Sequence, residues 1–153
     1  MIIRNGTGQL QVAVAAQVER QGMSSSARLS EDGGLTQFGA YVETLDPGSR
    51  SSDRHWHENE DELLYVLSGE PTVIEDDGEH LLKPGDAACW PAGTANAHHV
   101  VNKTNAPCSY LIVGTRLGRD VCHYPDSGKT LYSEGETWRM EDASGQVLRS
   151  GRY

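Results

Sequence analysis

Turn-forming residues punctuate this chain at intervals of roughly ten residues, and that rhythm restricts it to short strands joined by tight reversals. The clusters EDGG (31–34), DPGS (46–49), SGEP (68–71), DDGE (77–80), KPGD (83–86), PAGT (91–94) and NKTNAP (102–107) leave little room for a helix of ordinary length. Between them lie TQFGAYVETL, ELLYVLSG, PTVIED, HLLK, AACW, HHVVN and SYLIVGTR, rich in β-branched and aromatic residues and mostly of strand length. The pattern predicts an antiparallel all-β body, a sandwich or barrel. Leu63 to Leu67 and Tyr110 to Val113 are apolar at every position, so both faces of these strands call for cover. The segment around Leu10 to Val18, the residues after Arg116, or a second subunit in a homodimer are available to supply it. SSSA at 24–27 reads as a flexible loop.

A chain of 153 residues suits one domain, expected to span 1–153 with its core at 35–116. The extension 117–153 keeps Tyr124, Leu131, Tyr132, Trp138 and Met140, which is too much apolar surface for a disordered end, so it is expected to pack on the barrel. The 22 acidic residues outnumber the 13 basic ones, for a net charge of −9. With no basic patch and no helix-turn-helix signal visible, nucleic acid and anionic lipid are not expected partners. The nearest approach to a membrane span, LQVAVAAQV, is short and carries glutamines, and with only Arg4 ahead of it, it makes a poor secretory signal. Cys89, Cys108 and Cys122 match no zinc or redox spacing and read as reduced cysteines of a cytoplasmic protein, Cys89 as a small core residue.

The chemistry-bearing stretch is GSRSSDRHWHENEDELLYVLSG, from Gly48 to Gly69. On a strand, His55 and His57 share one face about 6.5 Å apart, close enough to clasp one ion. Glu62 opens the next strand after a turn-like ENED, so a hairpin brings its carboxylate back towards the pair. Nitrogen and oxygen donors in such a set suit zinc, iron, manganese or nickel. GDAACWPAGTANAHHVVN offers a fourth ligand, His98 or His99, on a later strand.

These residues resemble the two motifs of the cupin superfamily, the double-stranded β-helix or jelly-roll barrels. Gly48, His55, His57, Glu62 and Gly69 fill the first motif, with six residues rather than five after Gly48. Gly85, Pro91, Gly93, His98 and Asn102 fill the second, with four residues rather than two between Gly93 and His98. Strict spacing would place Asn96 at the ligand position; the distance from His98 to Asn102 favours His98, with His99 in reserve. The resemblance implies a small barrel with N- and C-terminal extensions, often dimeric, holding one divalent ion through His55, His57, Glu62 and His98. It also implies a range of activities, among them sugar or keto-acid isomerases, dioxygenases, decarboxylases and lyases. The expectation is a metal-dependent enzyme acting on a small oxygenated substrate, a sugar, hydroxy acid or keto acid, whose oxygens bind the ion. The competing reading is a non-catalytic module that binds or senses a small ligand, and a third is a purely structural metal. Tyr110 and His99 are the first candidates for acid or base. His80 is expected to be solvated and His123 to make a structural bond.

Overall fold

The computed structural model describes residues 1–4 and 6–153. In chain order the elements are β1 (Leu10–Val12), α1 (Ala15–Gln21), β2 (Ser24–Arg28), α2 (Leu29–Gly33), β3 (Phe38–Leu45), β4 (Trp56–His57), β5 (Glu62–Ser68), β6 (Thr72–Glu75) and β7 (Gly78–Leu81). They continue with β8 (Ala87–Trp90), β9 (His99–Val101), β10 (Cys108–Thr115), β11 (Arg119–Tyr124), β12 (Lys129–Glu134), β13 (Thr137–Glu141) and β14 (Val147–Arg152). All named pairings are antiparallel. Among the described residues no helix is long and apolar enough to cross a membrane.

Among the described residues the strands form three sheets, in the orders β1-β2-β3-β10-β5-β8, β14-β13-β12-β11-β4 and β7-β6-β9. The first and third enclose the core: Leu45, Leu64, Val66, Cys108, Tyr110 and Ile112 from one side meet Val73 and Val100 from the other. Alternation explains this choice of residues, because Leu64 and Val66 point inward from β5 while Leu63, Tyr65 and Leu67 point outward. Those outward residues remain more than a third exposed, so neither terminal segment covers them within one chain. Cys89 lies opposite Leu63 and is exposed, not a core residue; its strand turns Trp90 inward and so turns the neighbouring thiol out.

The turn glycines bear geometric constraints as well as punctuation. Gly69 ends β5 at φ 72°, and a Cβ there would stand 2.7 Å from the Cα of Cys108.

The ends of the chain hold strands that turn composition did not show. Ser24 to Arg28 is a strand, not a flexible loop, because its main chain is laddered between β1 and β3. Backbone pairing outweighs weak β-propensity there. Arg119 to Arg152 forms a four-strand meander that joins β4 through the pairs Cys122↔His57 and His123↔Trp56. The tail is therefore hydrogen-bonded to the strand that carries His57.

Candidate metal centre

Three local events bring the donors together. An isolated bridge between His55 and His98 joins the two motifs, with backbone N–H groups donating both ways at 3.1 and 2.9 Å. Glu62 opens β5 between Trp90 of β8 and Gly114 of β10, which aims its side chain inward. His57 is fixed from outside by the meander, its Nδ1 lying 2.6 Å from Asp120 Oδ2 on β11.

The result is a convergent donor set. One ligand atom each from His55, Glu62 and His98 falls within 4.8 Å of the others. His98 Nε2 lies 2.9 Å from Glu62 Oε2, and His57 Nε2 lies 3.8 Å from the same oxygen. His98 is 4% exposed, and the Trp90 ring stacks on it at 3.7 Å and 6°. The Trp90 indole N–H is itself anchored on Glu75.

The outer nitrogens decide which way the rings are turned. His55 Nδ1 faces the carbonyl of Asp53 at 2.9 Å, and His98 Nδ1 faces that of Asn96 at 3.2 Å. Carbonyl oxygens only accept, so each Nδ1 donates outward, which leaves Nε2 of either ring turned towards Glu62, where it can bond the carboxylate or a cation. The Asp120 carboxylate has the same effect on His57. One nitrogen each of His55 and His98 and the Glu62 carboxylate thus converge on a shared space that suits a cation, while His57 stands at its edge, grouped with His55 and Cys122 or with Glu60 and Asp120. Where protons alone balance the charge, burial drives His55 down to about 4. Burial also opposes a charge on His57, but the Asp120 hydrogen bond, together with Cys122 and Glu62, holds it up to about 11. Glu62 is pulled below the ordinary carboxyl value because its hydrogen bond to His98 and the nearby imidazoles outweigh its burial.

The remaining candidates lie outside the donor set, although His99 lines the same cavity as His55, Glu62 and His98. His99 Nδ1 bonds the Ser52 carbonyl at 3.0 Å, and its residue pairs with Ile74 on β6. The Asn96 side chain accepts from the Asp76 backbone N–H, which removes it from the donor set. His80 is partly exposed beside Asp77, while His123 stacks on Trp56 and bonds Glu58.

Several site residues were not singled out from the sequence. The Cys122 thiol lies within 4.8 Å of ligand nitrogens of His55 and His57, and Asp120 orients His57. Both come from β11, and no local pattern announces its pairing with β4. Glu43 is the other. It shares a cavity of about 230 Å³ with Tyr41, His55, Glu62, His98 and Tyr110, and Tyr110 Oη donates to its carboxylate at 2.7 Å. Burial raises Glu43 to about 7, although the Tyr110 hydrogen bond offsets part of that rise. Burial and Glu43 together raise Tyr110 well above the ordinary phenol value, so it stays a donor.

The family model for the cupin domain matches residues 41–114. The chain is 34% identical to a sugar phosphate isomerase from a cupin superfamily of Silicibacter pomeroyi, with a TM-score of 0.75, over 99% of this chain and 92% of that one. A protein of Acidithiobacillus ferrooxidans described provisionally as a sugar phosphate isomerase is 29% identical, with a TM-score of 0.76, over 90% of this chain and 96% of that one. A Thermotoga maritima protein described provisionally as an oxalate decarboxylase shares the fold at 24% identity and a TM-score of 0.64, over 76% of this chain and all of that one. No curated protein gave a significant match. This chain belongs to the cupin superfamily.

Proposed function

We infer that the chain is a metal-dependent isomerase of a small sugar phosphate, with His55, His57, Glu62 and His98 as the ligands of one divalent ion. The observation that carries this reading is the set of imidazole nitrogens around Glu62, each oriented by an acceptor on its far nitrogen. Similarity over nearly the whole chain to the Silicibacter pomeroyi isomerase supports the substrate class. Zinc, iron, manganese and nickel all suit three imidazoles and a carboxylate.

The ion, when bound, supplies Lewis-acid polarisation of substrate oxygens. The chain's own residues do the rest. Glu43, whose carboxyl burial lifts to about 7, takes the proton from the hydroxyl-bearing carbon beside the carbonyl and returns it to the carbonyl carbon, while the hydroxyl proton passes to the former carbonyl oxygen, so no atom is gained or lost. Tyr110 keeps the Glu43 carboxyl in place by donating to it. Trp90 walls the His98 side of the cavity against water. The reading treats the chain as one domain, because the C-terminal meander supplies Asp120 to the site. It also includes a homodimer formed through the outward face of β5 and β10, where Leu63 lies opposite Val113 and Tyr65 opposite Leu111. That apolar surface favours a second copy over solvent.

The test is elemental analysis of protein purified without added metal, joined to an NMR assay of aldose and ketose phosphate interconversion. The expected result is about one divalent ion per chain, with turnover lost on chelation and restored by the ion. Glu62→Gln should lose both metal and turnover. Full retention of both would remove Glu62 from the ligand set. Ligand stabilisation without turnover would instead mark a binding module.

A further inference from the structure

The charged side chains beside the metal centre carry a second assignment. A cavity of about 390 Å³ adjoins the one at the histidine cluster, and the two share Tyr41, Glu62 and Ile112 as walls. At its far side stand Arg28 and Arg116, which also border a larger groove of about 610 Å³. The sequence shows no basic patch, because these residues lie on separate elements; folding sets both against the same carboxylate, Glu31. Each guanidinium contacts Glu31 Oε1 through Nη2. The Nε and Nη1 groups of both have no partner among the described residues.

The surroundings hold this pair in place. Gly39 lies under Arg116, and a Cβ there would stand 3.2 Å from both Nε and Nη2 of the guanidinium. Glu31 stays ionised: burial opposes its charge, but hydrogen bonds from Ser30, Arg28 and Arg116 hold it down to about 2. Glu60 and Glu62 line the same cavity as well as Glu31, so the positive charge is confined to the two guanidinium forks and is not spread over the lining. Pre-oriented guanidinium N–H groups beside a cavity are the donors that bind oxyanions most strongly.

We propose that Arg28 and Arg116 clamp the phosphate of a phosphorylated sugar whose carbonyl end reaches the His55, Glu62 and His98 cluster. Glu31 is a positioning residue that keeps both guanidinium groups turned towards the cavity. The clamp rests on the isomerase reading for its substrate class, but its anion binding is measurable without turnover.

The experiment is calorimetric titration of the full chain, loaded with its metal, against inorganic phosphate, a hexose 6-phosphate, the neutral hexose and gluconate. Arg28→Gln and Arg116→Gln should each weaken phosphate and hexose phosphate binding by at least about tenfold, leaving the neutral hexose unchanged. Arg139→Gln, on the meander and paired with Glu141, should bind like the parent chain. Melting curves report whether each variant folds; if a glutamine variant does not, Arg28→Lys and Arg116→Lys keep the charge, lose the fork and should bind at intermediate strength. Unchanged phosphate affinity in both arginine variants overturns the clamp, as does tighter binding of gluconate than of hexose phosphate. A chain that isomerises with unaltered KM in both variants has the activity without the clamp. A chain that loses phosphate affinity in the variants but never isomerises has the clamp without the activity.

Discussion

Replacing Glu43 by Gln should remove one component of the chain's pH-dependent stability. Folding moves this carboxyl from the ordinary 4.5 to about 7, chiefly by burial. The folded chain therefore holds that proton more tightly than the unfolded chain does. Its contribution is fully present below about 4.5 and is lost as pH rises through 7. A rise of roughly 2.5 units at 1.36 kcal/mol each corresponds to about 3 kcal/mol lost by pH 8. Glutamine cannot ionise, yet it keeps an oxygen to accept from Tyr110. The stability of the variant relative to the parent should thus grow by about 3 kcal/mol between pH 4.5 and pH 8, a relative gain of about 6 to 12 °C in Tm for a chain of this size. A constant offset from the amide's extra donors cancels when the two pH values are compared. Urea titrations at four pH values across that range, on metal-stripped protein, measure the effect. A divalent cation in the cavity favours the carboxylate and should shrink the difference on loading. Parallel curves for parent and variant in the stripped protein would refute the argument. The same substitution should lower kcat by about a hundredfold or more if Glu43 moves the proton; undiminished turnover would leave its buried proton without a catalytic part.

Asp120→Asn removes the carboxylate from His57 Nδ1 and should weaken metal affinity about 10- to 100-fold, read by competition with a chromogenic chelator. An unchanged affinity would mean that Asp120 does not orient a ligand. Gly69→Ala meets both a positive φ and a 2.7 Å approach to Cys108, and should cost more than about 1 kcal/mol in urea unfolding. Leu63→Asp with Leu67→Asp places charge on the outward face of β5 and should yield monomers in sedimentation velocity if that face joins two copies; dimers of unchanged stability would move the interface elsewhere.

The central strands were legible because their signals are local. The period of a strand puts Leu64 and Val66 on one face of ELLYVLS and Leu63 and Tyr65 on the other, but a run apolar at every position does not say which face is buried, and that came with the assembled sheets. Turn glycines mark where strands end because a positive φ is a property of one residue. His55, His57 and Glu62 were legible for a similar reason, since the period of a strand and one reversal place them together. His98 needed the second motif as well.

The rest depends on pairs distant in sequence. Asp120 reaches His57 across 63 positions, and Cys122 comes to the histidines only because β11 pairs with β4. Glu43 reads locally as one polar residue on a strand; its raised carboxyl depends on burial opposite Tyr110, which belongs to β10. Arg28 and Arg116 look like scattered charges until Glu31 receives both. Side-chain period and turn chemistry belong to neighbouring residues and can be read along the chain. Burial, proton affinity and the company a charged group keeps depend on which distant strands fold against it, and those came only with the assembled sheets.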